Sequence, residues 1–307
     1  MRWGVRSNEL GWIGPCCHTR LPLAAHRELW HPRRVDQPTV TDLIVPPMVD
    51  PFHDWRDGDT WLAGGTLLFS APMPHLRRLR DLSQTGWPSL TVSAAGLEIA
   101  ATCGITELHE FKPPDHWRAG PFLRQSVEEY LASFKVWNRQ TVGGNICASL
   151  PAGPMVTMGA ALDAEYKILA LDKSSRIVPA IDFVTGDNTN ILQPGELLRS
   201  IHLPLSALLR RYTLRRFALT KHGRSSIYLV GTHDTESNEI LITVSAATIH
   251  PVHLRFNGAP SSEDVRVALD RLIPDELYFD DPNGTPAHRR HLTYVFAEQI
   301  RTELSAS

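Results

Sequence analysis

A chain of 307 residues has room for about two domains, and 42% apolar with 21% charged residues is ordinary composition for a protein with a packed core. Thirty-one basic and thirty-three acidic side chains leave a formal charge of −2, which excludes a general nucleic-acid or anionic-membrane binder. No run reaches the ~18 consecutive apolar residues of a membrane span, and four cysteines are too few for a disulfide scaffold. The expectation is therefore a cytoplasmic protein of mixed structure.

Residues 1–38 hold three of the eight Trp, six Arg and three His, with no period of 2 or 3.6. They lack the roughly 7–15-residue apolar block of a secretory signal and read as a loosely ordered extension, or as residues ahead of the true start. Cys16-Cys17-His18 lacks the C-x₂₋₄-C spacing of a zinc site, so these cysteines read as free thiols. Short strands bounded by turn residues follow at 41–45, 60–63, 90–93 and 97–103. Residues 121–134 read as one helix, with Pro121 at its first position and Phe122, Val127, Tyr130, Leu131 and Phe134 at helical spacing. A helix at 155–162, a strand at 166–171 and an edge strand at 177–183 containing Pro179 complete this half.

Beyond Pro204 the pattern changes to a meander of strands at 212–220, 226–232 and 240–250. Two helices close the chain. The helix at 261–273 opens with Ser261 and Asp264 spaced as a capping box. The final helix opens at Thr285-Pro286, with Leu292, Val295, Phe296, Ile300 and Leu304 as its buried face. The fold class is α+β.

Two glycine pairs carry the chemical signal. One is Trp61-Leu62-Ala63-Gly64-Gly65-Thr66-Leu67-Leu68, a strand running into two glycines and a hydroxyl. The other is Thr141-Val142-Gly143-Gly144-Asn145, followed by Ser149-Leu150-Pro151-Ala152-Gly153. Glycine lets backbone approach a ligand, and consecutive N–H groups in such turns make an anion-binding nest. Two such loops can clamp a pyrophosphate, with Thr66, Thr141 and Asn145 adding donors; each pair can equally be a plain tight turn. No G-x-G-x-x-G and no G-x-x-x-x-G-K-[ST] occurs, which excludes the common dinucleotide and P-loop fingerprints. Cys103 and Cys147 lie on apolar stretches and read as core thiols. No metal, hydrolase or iron–sulfur pattern is present.

Ala63-Gly64-Gly65-Thr66 after a strand, followed by Asn138-Arg139-Gln140-Thr141-Val142-Gly143-Gly144-Asn145, resembles the FAD-binding (medium) subunit of molybdenum hydroxylases, the family of xanthine and carbon monoxide dehydrogenases. The resemblance continues through Ala160-Ala161-Leu162-Asp163-Ala164, Asp182-Phe183 and Gly186 to Pro194-Gly195-Glu196-Leu197-Leu198 with Ile201, Leu203 and Pro204. It covers about residues 40–307. It implies a two-subdomain FAD-binding domain (PCMH-type) over 39–207 and an antiparallel-sheet-plus-helices C-terminal domain over 208–307. It places the FAD pyrophosphate between residues 61–68 and 141–145, with Leu198 near the flavin ring, and names no catalytic side chain. It further implies a molybdopterin-binding large subunit and a [2Fe-2S] small subunit as partners, the clusters passing electrons to FAD and on to an external acceptor. A self-contained FAD oxidoreductase and a flavin-less structural subunit are the alternatives. The chain departs from the family at Leu67, where relatives carry Asp, and at Gly153-Pro154, where they carry an acidic residue. Ala218-Leu219-Thr220-Lys221-His222-Gly223-Arg224-Ser225 keeps positive charge without the family's Arg-rich pattern, and Lys221 and Arg224 read as a solvated turn.

Overall fold

The structure, a computed structural model, describes residues 37–70, 72–130, 132–221 and 223–306. The expectations for residues 1–36, including Cys16-Cys17-His18, and for Leu131 lie outside the described residues, as does the side chain of Phe134.

A small parallel sheet comes first, built from β1 (Asp42–Ile44), β2 (Asp59–Leu62) and a central β3 (Arg78–Asp81). Charged Arg78 and Arg80 hide β3 from a hydrophobic-pattern reading, yet both are buried. Asp59 of β2 takes Arg78 Nε at 2.6 Å and Arg80 Nη1 at 3.0 Å. The Arg80 guanidinium lies 5.5 and 5.8 Å from the Trp55 and Trp61 rings. Beside the buried Phe52, Leu76, Leu79 and Leu82, cation–π stacking and paired charge help to hold this small unit. Burial pushes Asp59 up, but the bonds from Arg78, the Arg56 N–H and Arg80 outweigh it and hold the carboxyl below its ordinary value.

A hairpin of β4 (Leu90–Ser93) and β5 (Gly96–Ala100) opens the second body. Five helices follow: α1 (Ile105–Glu110), α2 (Gly120–Glu128), α3 (Phe134–Trp137), α4 (Val142–Cys147) and α5 (Pro154–Ala161). Then come β6 (Glu165–Leu169), β7 (Ser175–Pro179), the short pair β8 (Val184–Gly186) and β9 (Thr189–Asn190), and β10 (Leu197–Pro204). The antiparallel sheet has the order β4-β5-β10-β6-β7, with Pro179-bearing β7 at an edge.

The single helix expected over 121–134 is two pieces. Its apolar spacing continues past Glu128, but tertiary bonds compete with the helical ones. Trp137 Nε1 donates to the Tyr130 carbonyl at 2.9 Å, and the Tyr130 hydroxyl bonds Gln140 Oε1, so the chain turns away after α2. All eight residues of α5 are buried, because the helix packs between α2 and α4 on one side and the sheet that follows on the other. Thr157 Oγ1 meets Ser245 Oγ across that contact at 2.8 Å.

After α6 (Leu205–Leu208), the C-terminal sheet runs in order through β11 (Arg211–Phe217), β12 (Ile227–Asp234), β13 (Glu239–Ser245) and β14 (Val252–Asn257). The strand expected over 240–250 therefore stops early and a fourth strand appears. Ala246 takes φ +60°, outside strand geometry, and its N–H bonds Pro151 O at 2.9 Å. Two helices cover the sheet, α7 (Ser262–Leu272) and α8 (Pro286–Ser305). The Ser261–Asp264 capping box forms, with Asp264 N donating to Ser261 Oγ at 3.1 Å and Ser261 N to Asp264 Oδ2 at 2.8 Å.

The buried face of α8 is Arg289, Thr293, Ala297, Ile300 and Leu304, whereas Val295, expected inside, is 36% exposed. The reason is Arg289. Its guanidinium enters the core to bond the carbonyls of Gly284, Ser226 and Ala246 and the Asp281 carboxylate, rotating the helix toward itself. Gly231 on β12 permits the docking, since a Cβ there would stand 2.2 Å from Ile300 Cγ2.

Candidate functional site

Strand β2 delivers Leu62 to the rim of a cleft, and Ala63-Gly64-Gly65-Thr66 turns across it. Gly65 has φ +72°, which favours glycine. The turn is closed by Phe69 N donating to Gly65 O at 3.0 Å and Ser70 N to Leu67 O at 2.9 Å. Among the described residues, the N–H groups of Gly64, Gly65, Thr66, Leu67 and Leu68 and the Thr66 hydroxyl have no partner within the protein. The loop is an open row of donors, as an anion cradle requires.

Two contacts hold it there. Buried Gln37 clasps the segment, its Nε2 donating to Leu68 O at 2.5 Å and its Oε1 accepting from Met73 N at 2.6 Å. On the other side, Gly64 lies against the backbone of Arg139 and Gln140. A Cβ on Gly64 would stand 1.9 Å from Arg139 O. The two glycine loops, far apart in sequence, thus adjoin.

The second loop plays a different part from the nest expected of it. Val142 N donates to Cys103 O and Gly143 N to Ala101 O, both at 2.9 Å. Gly144 N bonds the N-cap Thr141 Oγ1 at 3.0 Å, and Asn145 N bonds Thr141 O at 3.0 Å. These donors are spent inside the protein, and Gly143 is needed because a Cβ would meet Ala101 Cβ at 2.4 Å. The loop therefore fastens α4 to the end of β5 as a rigid floor. Buried Asn145 accepts from Met155 N at 3.2 Å through Oδ1, and among the described residues its Nδ2 has no partner.

Three spaces lie at the loops, the first two sharing a wall. A cavity of about 490 Å³ is lined by Gly64, Gly65 and Thr66 together with the exposed basic side chains of Lys135 and Arg139. A second, of about 340 Å³, shares Ala63, Gly64, Ser83 and Arg139 with it and adds Trp87 and Asn138. A third, of about 260 Å³, lies between α2, α4 and the β11–β12 turn, lined by Tyr130, Asn145, Gly153, Pro154, Arg224 and Ser225. Open amides beside two cations, against the single carboxylate of Asp81 in the same wall, suit a doubly charged pyrophosphate.

Other sequence-derived residues lie elsewhere. Trp61 points away from the cavities, donating from Nε1 to Glu196 O at 3.1 Å, so the Pro194-Gly195-Glu196 turn ties the small sheet to the large one. Val142 and Leu198 are buried in the core, and neither lines these cavities. Leu67 is 46% exposed and Leu68 half-buried. Cys103 and Cys147 are free thiols; burial pushes Cys147 up to about 12 and raises Cys103 further, which makes both poor nucleophiles. Among the described residues no three His, Cys, Asp or Glu side chains form a metal site. Gln37 and Lys135 carry no sequence signal: one precedes the regular pattern, and the other is an exposed lysine in a short helix.

Residues 69–206 match the family described as the FAD binding domain in molybdopterin dehydrogenase, and the chain carries a domain of that family, with FAD as its cofactor. The match begins just after the first glycine loop. Among sequence relatives, the glyceraldehyde dehydrogenase medium chain of Sulfolobus acidocaldarius is 30% identical over 165 residues, which are 50% of this chain and 55% of that protein. A xanthine dehydrogenase of Oryza sativa subsp. japonica is 33% identical over 122 residues, 38% of this chain and only 9% of that protein. The chain thus spans about half of the first relative and a small part of the second. Among solved structures, a chain of carbon monoxide dehydrogenase from Oligotropha carboxidovorans superposes with a TM-score of 0.71 at 18% identity, covering 87% of this chain and 99% of that one. A chain of quinoline 2-oxidoreductase from Pseudomonas putida 86 gives 0.68 at 17% identity over 87% and 98%. These are likenesses of fold, and they extend over both the large sheet and the C-terminal sheet.

Proposed function

We propose that this chain is the FAD-binding, electron-transfer subunit of a molybdenum-dependent hydroxylase or dehydrogenase. In this reading residues 39–207 form the FAD-binding domain and 208–307 the C-terminal flavoprotein domain. The observation that carries it is the open amide row of residues 64–68, set beside Lys135 and Arg139 and pressed against the second loop. The amides and the Thr66 hydroxyl hold the pyrophosphate oxygens, while Lys135 and Arg139 neutralise their charge. Thr141, Gly143 and Gly144 keep α4 in register beneath, and Asn145 turns its free amide N–H toward the third cavity. Bound FAD supplies the redox chemistry, and the protein supplies position and electrostatics.

The partners in this proposal are a molybdopterin-binding large subunit and a [2Fe-2S] small subunit, in a cytoplasmic complex whose clusters deliver electrons to this chain for an external acceptor. The medium-chain relative and the carbon monoxide dehydrogenase fold support that assembly. No helix among the described residues is long and apolar enough to cross a membrane. The test is a visible spectrum of the purified chain, with the cofactor identified after denaturation. A flavin spectrum with FAD released in near-stoichiometric amount is expected; a chain that stays colourless when FAD is added overturns the proposal. Co-purification with a molybdenum-bearing and an iron–sulfur subunit then separates this reading from a self-contained FAD oxidoreductase.

A further inference from the structure

The 340 Å³ cavity on the far side of Gly64 contains an aromatic ring that no glycine-loop reading accounts for. Trp87 is half-buried, it lines the cavity, and the Arg199 guanidinium carbon stands 4.0 Å from its ring centroid. Trp87 also packs against the cluster of Phe52, Leu82 and Leu197, so the ring is held both by apolar contact and by the guanidinium. The guanidinium thus helps to fix the ring's orientation and draws electron density from an indole that lines the cavity. The wall is otherwise mostly polar: Ser83, Thr85, Ser89, Thr102 and Thr141 supply hydroxyls, Asn138 and Gln140 amides, Glu107 a carboxylate and Arg139 a guanidinium.

We propose that this cavity takes the adenosine half of FAD and that Trp87, held by Arg199, is the platform on which the adenine stacks. The inference rests on the FAD reading above and extends it to a specific residue. Three features carry the choice of moiety. The cavity shares Ala63, Gly64, Ser83 and Arg139 with the one at the phosphate cradle, so an adenosine leaving the pyrophosphate has this space beside it. Its hydroxyl-rich wall matches a ribose and an aminopurine. The space at Asn145, lined by Leu150, Ala152 and Pro154, offers more apolar wall and suits the flavin end better. Base-on-aromatic stacking also needs no sequence motif, only a held ring, and this is what the Arg199–Trp87 pair provides.

The test uses the full chain stripped of flavin and titrated with FAD, FMN and ADP. For Trp87→Leu the Kd for FAD is expected to rise ~10- to 100-fold and ADP binding to be lost, while the Kd for FMN, which lacks adenosine, changes less than about twofold. Trp87→Phe keeps a stacking ring and is expected to hold FAD within a few-fold of the wild type. It also separates a folding defect from a lost contact: ADP should quench indole emission in the wild type, and that quench should vanish in Trp87→Phe although ADP still binds. Equal weakening of FAD and FMN by Trp87→Leu, unchanged FAD binding, or an ADP quench that survives in Trp87→Phe overturns the adenine assignment while leaving the FAD reading intact. A wild-type chain that binds none of the three ligands overturns both.

Discussion

Gly64 has room for a hydrogen atom and nothing larger, because the Arg139 carbonyl would lie 1.9 Å from any Cβ. The neighbour is backbone, so relief requires the two loops to part. Gly64→Ala is therefore expected to raise the Kd for FAD by at least about tenfold and to cost about 1–3 kcal/mol of stability. Flavin titration and thermal melts of the FAD-free chain measure the two effects. At Gln37 the expected balance differs. Gln37→Ala removes the clasp on Leu68 O and Met73 N from a loop that is itself partly exposed. FAD affinity should fall several-fold, with about 1–3 kcal/mol lost where buried groups go unpaired; an unchanged Kd would show that the loop holds its shape without the clasp. The glycines were legible in the sequence because a positive φ and a close approach of backbone both select glycine, whatever the distance along the chain to the neighbour. Gln37 was not, since its two bonds reach 31 and 36 residues along the chain.

At the scale of elements, periodicity succeeded where one face of a helix or strand meets a core and failed where charge goes inside. Strand β3 escaped notice because Arg78 and Arg80 are buried against Asp59. The α8 face was rotated in expectation because a buried arginine reads as an outward residue. Arg289 is 1% exposed and joins helix α8 to β12, β13 and the 281–284 turn. Arg289→Met keeps volume but leaves the Asp281 carboxylate and three carbonyls without their donor. A loss of about 3–5 kcal/mol in denaturant unfolding is expected. A loss below about 1 kcal/mol would mean that apolar packing of Ile300 and Leu304, with water at the vacated carbonyls, suffices to seat the helix.

At the scale of the whole molecule, the junction between the two larger bodies holds a charged staple. Asp163, at the end of α5, receives Arg210 Nη1 at 2.6 Å and also bonds Arg255 of β14. Beside it His253 Nε2 donates to Ala160 O at 3.0 Å and Nδ1 faces the Arg255 guanidinium at 3.4 Å, and it is this second contact that requires the neutral ring. Burial, with Arg255 adding to it, pushes His253 down to about 4 from an ordinary 6.5, against the smaller opposing pull of Asp163. The unfolded chain thus takes the proton first as pH falls, so stability conferred by the neutral ring is complete above pH about 6.5 and declines toward pH about 4. Denaturant midpoints measured across that window should show His253→Gln with a shallower fall than the wild type; parallel curves would remove His253 from the junction's pH response. What the sequence by itself determined is whatever depends on neighbours in the chain: the two glycine turns, the capping box, the helix starts at Pro121 and Pro286, and through their order the family and its cofactor. The tertiary structure alone decided which loop keeps open amides and which spends them. Hydrogen-bond partners for residues 142 and 143 come from residues 103 and 101, a strand end brought there only by folding. It also decided where charge is buried, because an arginine inside is stable only when distant carbonyls and a carboxylate converge on it, and nothing in the local sequence announces that convergence.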